Sequence, residues 1–154
     1  MSSDLPQLDS FDRTILDILS VDGRISITEL SGRIGLSKTP TQARLRRLEA
    51  DGIITGYRAI LDPIRIGRDH VAFVEVKLTD TREAALSAFN AAVRKVPEIE
   101  QCHMLAARFD YLLKVRTQDM LAYREVLAER ISTLPYVAHT STFVAMQAVK
   151  EGGL

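Results

Sequence analysis

The stretch RIGLSKTPTQARLRR, Arg33 to Arg47, decides how the first third of the chain is read. It carries five basic side chains (Arg33, Lys38, Arg44, Arg46, Arg47) and no acidic one. Gly35 and Ser37 mark a tight turn followed by a helix. Ser37 is placed to cap that helix, and Pro40 sits in its first turn, where a missing N–H costs little. Thr41, Leu45 and Leu48 recur at i, i+4 and i+7 and form one inward stripe. Lys38, Thr39, Gln42 and the arginines are left on the other faces. A short helix with an apolar back and a cationic, amide-bearing front suits the DNA major groove. A generic three-helix bundle with a solvated cationic face would show the same spacing.

Upstream, Asp9 precedes Phe11, Ile15, Ile18 and Leu19, the pattern of a capped helix with one apolar stripe and with Asp12 in its first turn. Asp22-Gly23 breaks the chain. Ser26-Ile27-Thr28-Glu29 has the form of a capping box, so a second helix begins there, with Ile27, Leu30 and Ile34 on its buried side. Gly35 then serves as a left-handed C-cap. The third helix ends at Asp51-Gly52, and Ile53-Ile54 return to the core. Three short helices with a glycine-containing turn between the second and third make a helix-turn-helix unit.

The whole chain has 154 residues, 46% hydrophobic and 26% charged, with 20 Lys+Arg against 20 Asp+Glu. It is therefore globular, and any polyanion site must be local. By count, residues 1–58 hold 8 basic and 8 acidic side chains, so the run at 33–47 is segregation of charge rather than a domain-wide excess. The one cysteine, Cys102, excludes an intramolecular disulfide and a cysteine-rich zinc site. No apolar run approaches the ~18–20 residues that span a bilayer, and MSSDLPQLDS lacks the features of a signal peptide. A cytoplasmic protein without membrane partners is expected.

Downstream, Gly56 to Pro63 reads as a strand or extended link. From His70, Ala72, Val74, Val76 and Leu78 fall on one strand face, and Val71 and Phe73 point the other way, toward a partner surface. Leu86, Phe89 and Val93 line a helix. Ile99–Leu105 and Tyr111–Val115 read as strands. Met120, Tyr123, Leu127 and Ile131 line a further helix, and Val137–Met146 forms a last strand. Val96-Pro97-Glu98-Ile99 repeats as Leu134-Pro135-Tyr136-Val137 at an offset of 38 residues. The same offset places Phe73 on Tyr111, Val74 on Leu112, Phe89 on Leu127 and Val93 on Ile131. Strand–helix–strand twice over is the split βαβ, ferredoxin-like arrangement. Its sheet has one face under two helices and one open, which sheet-on-sheet pairing of two subunits would cover.

Leu8-Asp9, Asp12-Arg13, Ile15-Leu16, Asp22-Gly23-Arg24, Glu29-Leu30, Gly35-Leu36-Ser37, Arg44, Arg47-Leu48-Glu49, Gly52-Ile53-Ile54 and Gly56-Tyr57 follow one another as in the Lrp/AsnC family of feast/famine transcriptional regulators. The resemblance continues through Cys102-His103, Phe109-Asp110-Tyr111-Leu112-Leu113 and Asp119-Met120-x-x-Tyr123, and so covers nearly the whole chain. Within that family KTPTQARLRRLE resembles the alphaproteobacterial regulators of proline dehydrogenase. The resemblance implies an α+β chain with three parts. These are a (winged) helix-turn-helix DNA-binding domain over 1–56, a strand or linker over 57–69, and a ferredoxin-like βαββαβ domain over 70–150 for amino-acid sensing and oligomerisation. The implied partners are double-stranded DNA, a small amino-acid effector, and further copies of the chain, as a homodimer assembling to an octamer.

Carried onto these residues, the resemblance makes Arg24, Ser37, Lys38, Thr39, Thr41, Gln42, Arg44, Arg46 and Arg47 the DNA-contacting set. Lys38 and Thr39 sit where backbone N–H groups also bind a phosphate. Gln42 and Arg46 are placed to read adenine or guanine edges, and Arg44 and Arg47 to hold phosphates. Thr41 also starts the apolar stripe, and Arg24 is either solvated or paired with a carboxylate. The effector set implied is Leu105, Ala106, Ala107, Asp110, Met120, Pro135, His139 and Thr140. Asp110 either meets an α-ammonium or holds the hairpin shut. Met120 and Pro135 either pack on an aliphatic side chain or belong to the core and a turn. His139 faces the effector, water or the partner sheet. Ala107 stands where the family has glycine in Gly-x-x-Asp-Tyr, a change that disfavours left-handed backbone.

No catalytic motif, cofactor site or metal site is expected. His70, His103 and His139 fall in separate strands, and adjacent Cys102 and His103 point to opposite faces. G-x-S-x-G, phosphate-loop and H-E-x-x-H patterns are absent from the sequence. The remaining readings are an architectural protein with general DNA affinity and, further off, a small ferredoxin-like enzyme.

Overall fold

The computed structural model describes residues 7–151. The chain divides into two units, one ending at Ile60 and one beginning at Leu61.

The first unit holds α1 (Ser10–Val21), α2 (Ile27–Ile34) and α3 (Lys38–Ala50). Ile15, Leu30, Ile34 and Leu48 form its buried core. The reciprocal capping box forms at α1. There the Asp12 N–H donates to Asp9 Oδ1 at 2.9 Å and the Asp9 N–H to Asp12 Oδ2 at 3.2 Å. At α2 only half of the expected box forms: Ser26 Oγ accepts from the Glu29 N–H, while Glu29 turns to Arg33 one turn along. Gly35 ends α2 in the left-handed region, at φ 73°. Ser37 holds the N-cap position of α3, but its side chain makes no capping hydrogen bond. Its carbonyl instead accepts from the Thr41 N–H and from Thr41 Oγ1. No strand is assigned between α3 and β1 among the described residues. Residues 57–62 run without a ladder partner among the described residues, and a strand needs one to be satisfied. Tyr57 is anchored nonetheless. Its hydroxyl donates to Glu49 Oε1 at 2.8 Å, and burial followed by that carboxylate pushes its pKa up to about 12.

The second unit runs β1 (His70–Leu78), α4 (Glu83–Val93), β2 (Ile99–Met104), β3 (Tyr111–Thr117), α5 (Met120–Val126) and β4 (Val137–Val144). The sheet is antiparallel throughout, in the order β2-β3-β1-β4, which is the split βαβ topology. One sheet face joins Phe89, Val93, Tyr123, Val126 and Ile131 of the helical segments in a single core with Ala72, Val74, Val76, Leu113 and Val115. Each of the valine, leucine, isoleucine and phenylalanine side chains among them contributes roughly 1.5–3 kcal/mol by leaving water.

A π-helical turn, Leu127–Ile131, continues α5, closed by the Ser132 N–H on the Leu127 carbonyl. The extra residue per turn lets both Val126 and Ile131 face inward. Met120, expected on that stripe, is instead 56% exposed at the helix start. On the open sheet face Phe73 lies directly across from Phe143. The Glu151 carboxylate bridges Lys114 and Arg116 on β3.

Candidate functional site

Two groups of residues carry chemistry, one in each unit. In the first unit the outer face of α3 presents Lys38, Thr39, Gln42 and Arg46, all exposed, with Ser37 exposed just before them. Arg24 is also exposed; its backbone N–H meets Asp22 Oδ1, and its guanidinium joins no ion pair among the described residues. Thr41 does not belong to this face. It is fully buried, with its hydroxyl spent on the Ser37 carbonyl, because it begins the stripe that packs against the helical core.

The two arginines expected to hold phosphates are already occupied. Arg44 Nη1 lies 2.5 Å from Asp9 Oδ2 and 2.9 Å from Asp12 Oδ1, and Arg47 Nη2 bonds Asp12 Oδ2. The Arg44 guanidinium also stands 5.3 Å from the centre of the Phe11 ring. Asp12 is only 1% exposed, so its charge requires these partners. The Asp9 carboxyl is held below its ordinary pKa first by the Asp12 N–H and then by Arg44. Arg33 is paired with Glu29. Of the five cations in the 33–47 run, three are therefore committed. Lys38 and Arg46 make no ion pair among the described residues.

One signal for this was present in the sequence. Asp12, Ile15 and Leu19 share one face of α1, and Leu8 packs on the same core from just before its cap; a carboxylate on an apolar face demands a cation.

In the second unit, the β2–β3 hairpin, the end of β1 and the start of β4 lie at one end of the sheet. Met104 pairs with Tyr111, Tyr111 with Val76, and Leu78 with Val137. Leu105, Ala106 and Ala107 are exposed on the hairpin, Pro135 and His139 are exposed beside β4, and Thr140 is half-buried opposite Val76. Asp110 binds this end together. Its Oδ2 accepts the Leu78 N–H at 2.8 Å, its Oδ1 meets Lys77 Nζ at 3.0 Å, and its own N–H donates to the Val76 carbonyl. Burial alone would raise its pKa, but the Leu78 N–H and Lys77 outweigh it and hold the carboxyl below the usual range. Both oxygens are thus engaged in closing the hairpin onto β1.

Met120 does not join this group. It follows the far end of β3, ~20 Å away along the strand, so within one chain it cannot touch a small molecule held at the hairpin. Ala107 is compatible with its backbone. Tyr136, at φ 64°, is the one non-glycine described residue with a positive φ. Tyr136 itself gave no sequence signal, although it sits between Pro135 and β4. Its carbonyl accepts from the Thr79 N–H at 2.8 Å, which fixes the turn after β1. Lys77 was missed as well, because its partner lies 33 residues away. Among the described residues no group of three His, Cys, Asp or Glu is placed to hold a metal ion, and no helix is long and apolar enough to cross a membrane.

Residues 71–154 match the family model of the Lrp/AsnC ligand binding domain, and residues 8–55 that of a winged helix-turn-helix DNA-binding domain. The proline dehydrogenase transcriptional activator of Rhizobium radiobacter is 62% identical over 147 residues, 96% of this chain and 94% of that protein. Its namesake in Rhodobacter capsulatus is 56% identical over 144 residues, 94% of each. The crystal structure of a transcriptional regulator from Neisseria meningitidis in complex with L-methionine superposes with a TM-score of 0.87 at 32% identity. That match covers 95% of this chain and 94% of the other.

Proposed function

Because this chain belongs to the Lrp/AsnC family, we propose that it is a DNA-binding transcriptional regulator that responds to an amino acid and catalyses no reaction. The observation that carries the reading is the exposed outer face of α3, where Gln42 and Arg46 lie one turn apart with no side-chain partner among the described residues and Lys38 and Thr39 open the helix. Gln42 and Arg46 read base edges by paired hydrogen bonds, and the α3 N-terminus takes a phosphate. The identity with two proline dehydrogenase activators supports the gene for that enzyme as the target and, through it, proline as the effector.

The second unit supplies the response. The hairpin end of the sheet, with Leu105, Ala106, Ala107, Pro135, His139 and Thr140 around the Asp110 bracket, offers backbone groups and small apolar surfaces to an amino acid. Asp110 acts by holding the hairpin rather than by meeting the effector's ammonium, since both its oxygens are engaged. Met120 reaches such a site only from another subunit, which makes effector binding and assembly mutually dependent. The open sheet face, with Phe73 across from Phe143, is the surface over which two subunits pair, and further assembly to an octamer follows the family. The effector then shifts DNA occupancy by its differential affinity for the assembled arrangements.

Footprinting on DNA upstream of a proline dehydrogenase gene, with and without L-proline, tests the reading. Protection of a discrete site that changes in extent with proline is expected. Protection indistinguishable from that of scrambled DNA would leave an architectural protein instead.

A further inference from the structure

The two oxygens of Asp9 do different work. Oδ1 accepts the Asp12 N–H and so caps α1, while Oδ2 points at Arg44 Nη1, 2.5 Å away. The cap needs only a neutral acceptor, for serine, threonine or asparagine caps as well as aspartate. Arg44 does not need Asp9 for its own burial, because Asp12 already meets its guanidinium at 2.9 Å. The Asp9 charge is therefore more than the local structure requires. It stands 48% exposed beside the flank of the recognition helix, where duplex backbone passes a docked helix-turn-helix. Asp9 and Asp12 together cancel Arg44 and Arg47 in full.

We propose that Asp9 is a built-in competitor of DNA phosphate for Arg44. It withholds one cation from the backbone and so lowers the sequence-independent part of the protein's affinity for any duplex. Asp12 is the fixed strut that joins α1 to α3, and Asp9 is the removable counter-charge. Base readout by Gln42 and Arg46 is untouched by this arrangement, so a larger share of the total affinity rests on sequence, and residence on non-cognate DNA shortens. The inference rests on the reading of this protein as a DNA binder.

The test removes the charge and keeps the cap. In Asp9→Asn the side-chain carbonyl still accepts the Asp12 N–H, and Asp9→Ser provides a second capping residue of different size. Affinity is measured on a proline dehydrogenase upstream fragment and on a scrambled duplex, over a range of salt. Freeing one phosphate contact steepens the plot of log K against log salt by about 0.9 and raises affinity up to about eightfold at 0.1 M salt. Both duplexes should gain alike, and the gain should vanish when Arg44→Gln is added. If Arg44→Gln unfolds the protein, the slopes of the two single variants decide. A merely structural role for Asp9 would lower affinity, not raise it.

An unchanged slope, a gain confined to the upstream fragment, or a gain that persists without Arg44 would each overturn the proposal. Failure of the unaltered protein to bind any duplex at low salt would instead overturn the DNA-binding reading beneath it.

Discussion

Replacing Asp110 by asparagine and by alanine separates the two roles open to that carboxylate. Alanine leaves the Leu78 N–H without an acceptor in a residue only 4% exposed, a loss of roughly 1–3 kcal/mol. It also releases Lys77, but that pair is half exposed on the lysine side, and such pairs contribute about 0–1 kcal/mol. Asparagine keeps an oxygen for Leu78 and loses only the ion pair, so its cost should stay under about 1 kcal/mol. Urea unfolding at fixed protein concentration reads these differences. The functional consequence runs in parallel. If Asp110 acts by closing the hairpin onto β1 and proline is the effector as proposed, Asp110→Asn retains the proline-dependent change in DNA affinity and Asp110→Ala blunts it. Titration calorimetry with L-proline and footprinting on the same samples provide the readout. The reasoning is refuted if Asp110→Asn folds with near-native stability yet loses the effector response as completely as Asp110→Ala, for then the charge itself meets the ligand.

Three further outcomes follow from the same geometry. Tyr136 holds a left-handed backbone that glycine adopts freely, so Tyr136→Gly should be more stable than Tyr136→Ala by about 1 kcal/mol; the reverse order in urea would show that the strain is absent in solution. Arg46→Ala should cost about 1–3 kcal/mol on the cognate site with little change on scrambled DNA, whereas Arg47→Ala should lower the melting temperature, because buried Asp12 keeps only Arg44; equal binding losses for both on both duplexes would undo this division of roles. Finally, the carboxyls of Asp9, Asp110 and Glu151 all titrate below their ordinary range when folded, so the unfolded chain takes up protons first as pH falls. Their stabilisation is complete at neutral pH and is lost as pH falls from about 4 down through the lowered folded values; a urea midpoint that climbs as pH is lowered from 5 to 3 would contradict the sign.

What could be read from the sequence was mostly what is local. Asp9 and Gly35 bound their helices as expected because a cap is decided within four residues, and the alternation from Ala72 to Leu78 shows directly in the buried face of β1. The 38-residue repeat holds for the helices and the strands that follow them: Phe89 and Leu127, Val93 and Ile131, and Val96 and Leu134 all pack on the core. It fails for the strands before them, since Tyr111 is buried and Phe73 lies on the open face. The turn after β1 spans residues 79–82 and that after β3 only 118–119, so one offset cannot serve strand and helix alike. A shift of a single residue then exchanges the two faces of a strand. The fate of Arg44 and Arg47 was hidden for a different reason. Their partners lie 32 to 35 residues away on another helix, and only the placement of Asp12 among Leu8, Ile15 and Leu19 pointed to a missing cation. Met120 was misjudged because periodicity alone does not show that it is the first residue of α5, where it stands exposed one turn ahead of buried Tyr123.

The self-neutralised arginines bear on how such a protein would fare in a cell whose potassium content swings with osmotic stress. Five phosphate contacts would cost about twentyfold in affinity for each doubling of salt, and two contacts only about three- to fourfold. With Arg44 and Arg47 paired to Asp9 and Asp12, DNA binding through α3 should vary less steeply with ionic strength than the number of its cations suggests.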